Sequence, residues 1–370
     1  MHSVTACRVY ENLIIEKQER KMAGSSFGKI FQVSTWGESH GPGLGVVVQG
    51  CPSGITLNEA ILQKALDKRK PGKGSTSTRR KEPDKAEILS GIFEGVTTGT
   101  PISIMIRNQD ARSRDYHKNA AVFRPGHGDV TYQAKYGIRD WRGGGRASAR
   151  ETAARVAAGA VAQAFLDTHG ITIKSMTLAL GGVSIEKMDI DPDANRLQCP
   201  DSAGFEKMEA RIAQVKKQGD SLGGVLEVTA RNVPAGLGDP VFDKLDADIA
   251  KALMSIGAVK ALEIGAGCRA ATLTGYENND PITREGFGSN NSGGILAGIS
   301  NGDDIVARVH VKPIPSISRS QQTVDEHGNE TILSTTGRHD ISAIPRINPV
   351  CRAMLALVIA DHLLRQKCLQ

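Results

Sequence analysis

The run Arg142-Gly143-Gly144-Gly145-Arg146-Ala147-Ser148-Ala149-Arg150-Glu151 sets three glycines ahead of what reads as the start of a long helix. Ser148 and Glu151 have capping-box spacing, in which the serine takes a first-turn amide and the glutamate reaches back to the cap. Without β-carbons the glycines leave the backbone open to a ligand, and the positive helix end, Arg146 and Arg150 all favour negative charge there. The spacing predicts an anion site with phosphate as its natural occupant. A helix-entry turn with solvated arginines is the plainer alternative.

His40 and His127 each fall in a glycine-flanked turn, Gly37-Glu38-Ser39-His40-Gly41 and Arg124-Pro125-Gly126-His127-Gly128-Asp129, and neither lies on an apolar face. An imidazole with its usual pKa of about 6.5, held in such a turn, can reach a ligand and move a proton at neutral pH. His117, His169, His327 and His362 lack that setting and are assigned structural roles. Asp340, in Thr336-Gly337-Arg338-His339-Asp340, is a third candidate, with Arg338 placed to keep it ionised. Basic residues gather over 64–81 and at Arg107, Arg112 and Arg114. Among them Arg69, Lys70 and Lys73 fall at a helix end and a Pro-Gly turn, where side chains converge as a polyanionic substrate requires. Lys312-Pro313-Ile314-Pro315-Ser316 is a rigid turn after a strand, placed to offer an amine and a hydroxyl to a cofactor. Two glycine-rich segments are decoys: 41–45 breaks the dinucleotide fingerprint, and 72–75 breaks the P-loop order.

The elements that must carry these groups are well punctuated. Thr56 and Glu59 predict a capping box opening a helix that closes at Pro71-Gly72; further helices are expected over 205–219, 243–257, 149–168 and 350–366. The alanine-rich 149–168 helix, with Gly159 and apolar residues around most of its circumference, reads as buried. Half-polar alternation at 171–174, 225–229 and 305–311 suits antiparallel strands with one face on a core, which makes the class α+β.

Composition excludes several classes. With 39% hydrophobic and 23% charged residues over 370, the chain is globular, and its formal charge of +6 suits an acidic small molecule at least as well as a polymer. A nucleic-acid binder is disfavoured because no aromatics interleave the basic segments and no helix-turn-helix or zinc pattern occurs. The six cysteines show no paired spacing, which argues for a reducing compartment and against a metal site. No membrane-spanning run or signal-peptide core stands out, so a cytoplasmic protein is expected. Nothing marks an internal boundary: residues 1–22 read as a dispensable extension, 23–366 as one catalytic domain and 367–370 as a tail.

Taken together, the 37–41 turn, the 124–129 turn, Gly143 through Thr152 and Gly337-Arg338-His339-Asp340 occur in the order and approximate spacing of the chorismate synthase family, and the chain resembles its monofunctional bacterial members over about residues 23–366. The resemblance implies a β-α-β sandwich, long helices between antiparallel sheets, usually a homotetramer. It also implies a redox-neutral lyase that uses reduced FMN, supplied by a separate NAD(P)H-dependent flavin reductase, to convert 5-enolpyruvylshikimate 3-phosphate into chorismate. By position, His40 and His127 match paired histidines that protonate the reduced flavin and the departing phosphate, and Asp340 an aspartate near flavin N5. Arg69, Ser75 and Arg150 match substrate contacts. Arg146, Ala147, Ser148, Gly257, Ala258, Ala297, Lys312, Pro313, Ile314, Pro315, Ser316 and Arg338 match flavin contacts.

The pattern is departed from in places. Ser75 stands where an arginine is usual, leaving Lys73 or Arg79 as substitutes. Gly257-Ala258 stands where Asn-Ala is common, Ala297 replaces a glycine, and Ile341-Ser342 follows Asp340 where Pro-Cys is frequent. An oxidoreductase with net cofactor turnover is the competing enzyme class.

Overall fold

The protein, seen in a computed structural model, is described over residues 24–70, 82–109, 120–334 and 340–369. Two antiparallel five-stranded sheets enclose the long helices. The first sheet runs β1 (Ser26–Phe27), β2 (Gln32–Gly37), β3 (Gly43–Gln49), β5 (Ile102–Arg107), β4 (Ala86–Ile88) across its width. The second runs β9 (Val259–Ile264), β10 (Ile305–Val311), β8 (Gly224–Arg231), β6 (Thr172–Leu180), β7 (Val183–Ser184). Strict alternation along β10, with Ile305, Ala307, Val309 and Val311 buried and the residues between them half-buried, gives each such strand one core face.

Between the sheets, α3 (Thr152–Asp167) packs on β3 and β5 and against α6 (Ile344–Lys367), which in turn lies on β6 and β8. A Cβ on Gly159 would stand 2.3 Å from that of Ala353, so this glycine sets how closely the two central helices approach. Helix α1 (Glu59–Arg69) flanks both, and α5 (Leu245–Met254) packs on α6 and β9. The other helices of eight residues or more among the described residues are α2 (Asp129–Tyr136) and α4 (Ser202–Lys217). One apolar core runs from Phe31 to Leu363. The α+β sandwich agrees with the expectation.

Three boundaries differ from the sequence reading, each because another partner wins. Asn58, not Thr56, caps α1 by accepting from the Ile61 amide at 3.1 Å, while Thr56 bridges to Val96. Ser148 does cap, but a 3-10 turn at Ala149–Glu151 precedes α3, and Glu151 turns forward to Arg155 at 2.9 Å instead of back to the cap. Helix α6 begins at Ile344 rather than 350, although Pro349 lies inside it. The carbonyl that the proline leaves unbonded, on Pro345, accepts from Gln198 Nε2 at 3.2 Å. The same helix is long and apolar enough to cross a bilayer, a property the sequence reading overlooked; 89% of its apolar stretch is buried in the protein, as befits a core helix.

Candidate active site

The loop between β2 and β3 carries His40, and it docks against the three glycines. Gly143, Gly144 and Gly145 have φ of 69°, 84° and 52°, a left-handed run that any side chain would strain. A Cβ on Gly143 would lie 2.4 Å from Cε1 and 2.6 Å from Nδ1 of His40, and one on Gly144 would lie 3.3 Å from Arg124 Nη2. The Ser39 amide donates to the Gly145 carbonyl at 3.4 Å. The glycines therefore admit the His40 ring and the Arg124 guanidinium, side chains of the protein itself.

The second histidine turn meets the same loop from the other side, Gly128 lying beside Ala147. Within it, Asp129 receives two hydrogen bonds from the Arg124 guanidinium, at 2.8 and 2.7 Å, and one from its amide at 3.0 Å. Across from it stands the Lys312–Ser316 turn: Lys312 Nζ donates to the Gly126 carbonyl at 2.8 Å, and Ser316 Oγ lies 2.9 Å from His127 Nε2. His127 Nδ1 donates to the Pro125 carbonyl at 3.2 Å, which leaves Nε2 to accept from the serine hydroxyl. Burial, reinforced by Arg124, pushes the His127 pKa down to about 4. The expectation of an ordinary imidazole is thus corrected: at neutral pH this ring is uncharged.

Arg69 and Arg150 come together in the interior, at 1% and 4% exposure, on either side of the fully buried Asp84. Asp84 Oδ2 accepts from Arg69 Nη2 at 2.5 Å and Oδ1 from Arg150 Nη1; Glu82 Oε2 lies 3.6 Å from Arg150 Nη2. Burial would raise the Asp84 pKa, but the two guanidiniums outweigh it and the net shift is downward. Arg69 is lowered to about 10 by burial and by the nearby Arg346, and stays charged at neutral pH. Arg69 Nε and Arg150 Nη2, both buried, make no hydrogen bond among the described residues. Lys68 and Lys70 pair with Asp193 and Asp67 at the surface. The anticipated open basic funnel is, over these residues, a set of paired charges.

Asp340 joins the two halves. It forms an ion pair with Arg346 Nη1 at 2.7 Å; Arg338, the expected partner, lies outside the described residues. Next to it, the Ile341 carbonyl accepts from the Leu222 amide at 2.7 Å, and Ser221 Oγ donates to the Ile314 carbonyl at 2.6 Å, tying this stretch to the Lys312–Ser316 turn. The Ala258 carbonyl, beside Gly257, accepts from the Lys312 amide at 2.9 Å. Arg146 is spent internally, donating to the Gly37 carbonyl at 3.3 Å and Thr35 Oγ1 at 2.8 Å. Ala297 lies in a hairpin turn, with φ of 52°, next to Gly298, which meets Lys244 and accepts from the Leu245 amide. Ser75 lies outside the described residues, with His117, Lys73 and Arg79. Of the histidines given structural roles, His362 Nε2 lies 2.9 Å from Asp248 Oδ2, His169 stacks edge-on with Phe165, and His327 is exposed.

A cavity of about 570 Å³ opens beside Lys312 and Pro313, bordered by Gly223, Gly224, Lys260 and Arg211. Its size suits a cofactor-sized ligand, and its cations suit an anionic one. Among the described residues no group of three or more histidine, cysteine, aspartate or glutamate side chains is placed to hold a metal ion. Sequence reasoning missed Glu82, Asp84, Asn108 and Arg346. None stands in a motif that signals chemistry, and Glu82, Asp84 and Asn108 reach Arg150 across 42 to 68 residues of chain.

Fold and site together define a sandwich enzyme whose histidine turns and buried arginines converge on a glycine loop. The family model described as chorismate synthase matches residues 31–364. The chorismate synthase of Desulfosudis oleivorans is 65% identical over 350 residues, covering 94% of this chain and 99% of its own length. That of Syntrophobacter fumaroxidans is 61% identical over 344 residues, covering 93% and 98%. A crystal structure of chorismate synthase superposes with a TM-score of 0.73 at 35% identity, covering 92% of this chain and 93% of that one. The chain belongs to the chorismate synthase family, lyases of the shikimate pathway.

Proposed function

We propose that the chain carries out the reduced-FMN-dependent, redox-neutral anti-1,4-elimination of phosphate from 5-enolpyruvylshikimate 3-phosphate to give chorismate. The observation that carries this reading is the meeting of both histidine turns on one glycine loop, with the His40 turn tied through Asn108 to two buried guanidiniums. Arg69 and Arg150 bind substrate oxygens through the donors left over from Asp84 and Glu82. His40 and His127 move protons at the departing phosphate and the cofactor, and Asp340 helps the cofactor site take up the proton that C6 loses. Because His127 is neutral in the free protein, the negative charge of the ligands must raise its pKa before it can donate. An anionic flavin would be held by Lys312, its neighbours to Ser316 and the Ala258 segment, next to the cavity that Lys312 and Pro313 border. When bound, the reduced flavin supplies electron density that is returned as the hydrogen leaves.

The same reading makes the protein cytoplasmic and homotetrameric, with FMN reduced by a separate NAD(P)H-dependent enzyme, and residues 1–22 dispensable to the 23–366 domain. The test is anaerobic: protein, chemically reduced FMN and 5-enolpyruvylshikimate 3-phosphate are mixed, and phosphate and chorismate are followed. Equal release of both, with the flavin still reduced at the end, supports the reading. Phosphate release with oxidised flavin, or flavin consumed in step with product, overturns it.

A further inference from the structure

Asn108 lies one residue past the end of β5, against the loop that carries His40. Its side-chain amide is fully engaged: Nδ2 donates to the carbonyls of Glu38 at 2.9 Å and Gly41 at 2.8 Å, which bracket His40 on both sides, and Oδ1 accepts from Arg150 Nε at 2.9 Å. The Asn108 backbone amide adds a fourth bond, to the Pro42 carbonyl at 3.1 Å. Both amide protons and the amide oxygen have partners of the matching kind, so one flip orientation is fixed. Aspartate cannot donate to the carbonyls, and glutamine is a carbon too long.

We propose that Asn108 is a positioning residue that couples the anion-reading Arg150 to His40. The guanidinium is itself held by Asp84, so a chain runs from the buried carboxylate through Arg150 and Asn108 to the two peptide groups flanking the imidazole. An anion that shifts Arg150 pulls on the turn that carries His40. The catalytic half of this proposal rests on the function proposed above.

Two readouts on the full-length protein test it. The first needs no turnover: acylation of His40 by diethyl pyrocarbonate at pH 7, followed by mass spectrometry on the tryptic peptide 30–64, in which His40 is the sole histidine. Unpinning the loop in Asn108→Ala should raise the His40 rate about fivefold or more, and Arg150→Lys, which loses the Nε contact, about twofold, while His127 stays within about twofold. The second is kcat in a double-mutant cycle. Asn108→Asp should cost about 10- to 100-fold in the parent and less than about twofold in a His40→Ala background, because the coupled partner is already gone. If Asn108→Asp does not fold, Asn108→Ser takes its place in the cycle. Unchanged His40 acylation in Asn108→Ala, or equal kcat losses in both backgrounds, overturns the proposal. Absence of turnover in the parent protein would instead strike the proposed function and leave the acylation result standing.

Discussion

The two histidine turns look alike as sequence, a histidine between glycines, yet the fold gives them different surroundings. The His40 turn is a β-hairpin loop whose ring lies on Gly143 and whose peptide groups are tied through Asn108 to Arg150. The His127 turn is locked to the Lys312–Ser316 turn, and burial, reinforced by Arg124, holds its ring neutral. One histidine is coupled to the arginine side of the site and the other to the side that the family pattern assigns to the flavin. Motif type therefore predicts that a residue can do proton chemistry; its neighbours decide which ligand it answers to.

The strongest way to break this comparison is to remove each ring. His40→Ala and His127→Ala should each lower turnover about 10²- to 10⁴-fold in the anaerobic assay while FMN still binds; near-normal turnover in both would make the two turns structural. Next comes the charge that the arginine side shares. Asp84→Asn leaves two buried guanidiniums facing each other and should cost about 3–5 kcal/mol in denaturant unfolding. Arg150→Lys, which keeps charge but loses the planar fork, should instead lower kcat/KM by about 1.5–3 kcal/mol, and an unchanged value would withdraw the anion site.

The glycines separate the halves more finely. Gly143→Ala drives a Cβ into the His40 ring, whereas Gly126→Ala, at φ 71°, drives one to 2.8 Å from Pro315 Cβ. Each carries a backbone strain of about 1–2 kcal/mol, but the first should change His40 acylation and the second should not. A shared effect would mean that the loops move as one body.

The pH dependence bears on the His127 side, with the buried His362, whose pKa burial also lowers, contributing a separate fall. The folded pKa of His127, about 4, lies below the value of an unfolded histidine, so the unfolded state binds the extra proton between the two. This contribution to stability is intact above about pH 6.5 and is lost as pH falls toward 4. A His127→Gln variant should show a flatter fall in unfolding free energy over that window, and an identical slope would place the neutral histidine elsewhere. The smallest expected effect is at Ala297, whose left-handed φ of 52° a glycine would relieve. Ala297→Gly should change stability by less than about 1 kcal/mol, since the relief is offset by a freer unfolded chain, with turnover unaltered.

Much of the fold was legible because its signals are local. Alternation announced the half-buried strands, and the alanine-rich run with Gly159 announced a buried helix that another helix could approach closely. Local signals failed where a distant group took over. Thr56 had the spacing to open a capping box but bridges to Val96, and helix α6 runs on ahead of residue 350 because Gln198 satisfies the carbonyl that Pro349 frees.

By itself the sequence determined which residue types stand in turns and at helix ends, because cap spacing and the freedom of glycine are properties of a few adjacent residues. It thereby placed His40, His127, Arg69 and Arg150 as candidates and fixed the family resemblance. Only the tertiary structure decided what each candidate touches. Asp84 lies 15 residues from Arg69 and 66 from Arg150, and Asn108 lies 42 from Arg150. No short-range pattern links such partners: hydrogen bonds and ion pairs depend on separation in space, which the packing of α3 and α6 between the two sheets sets.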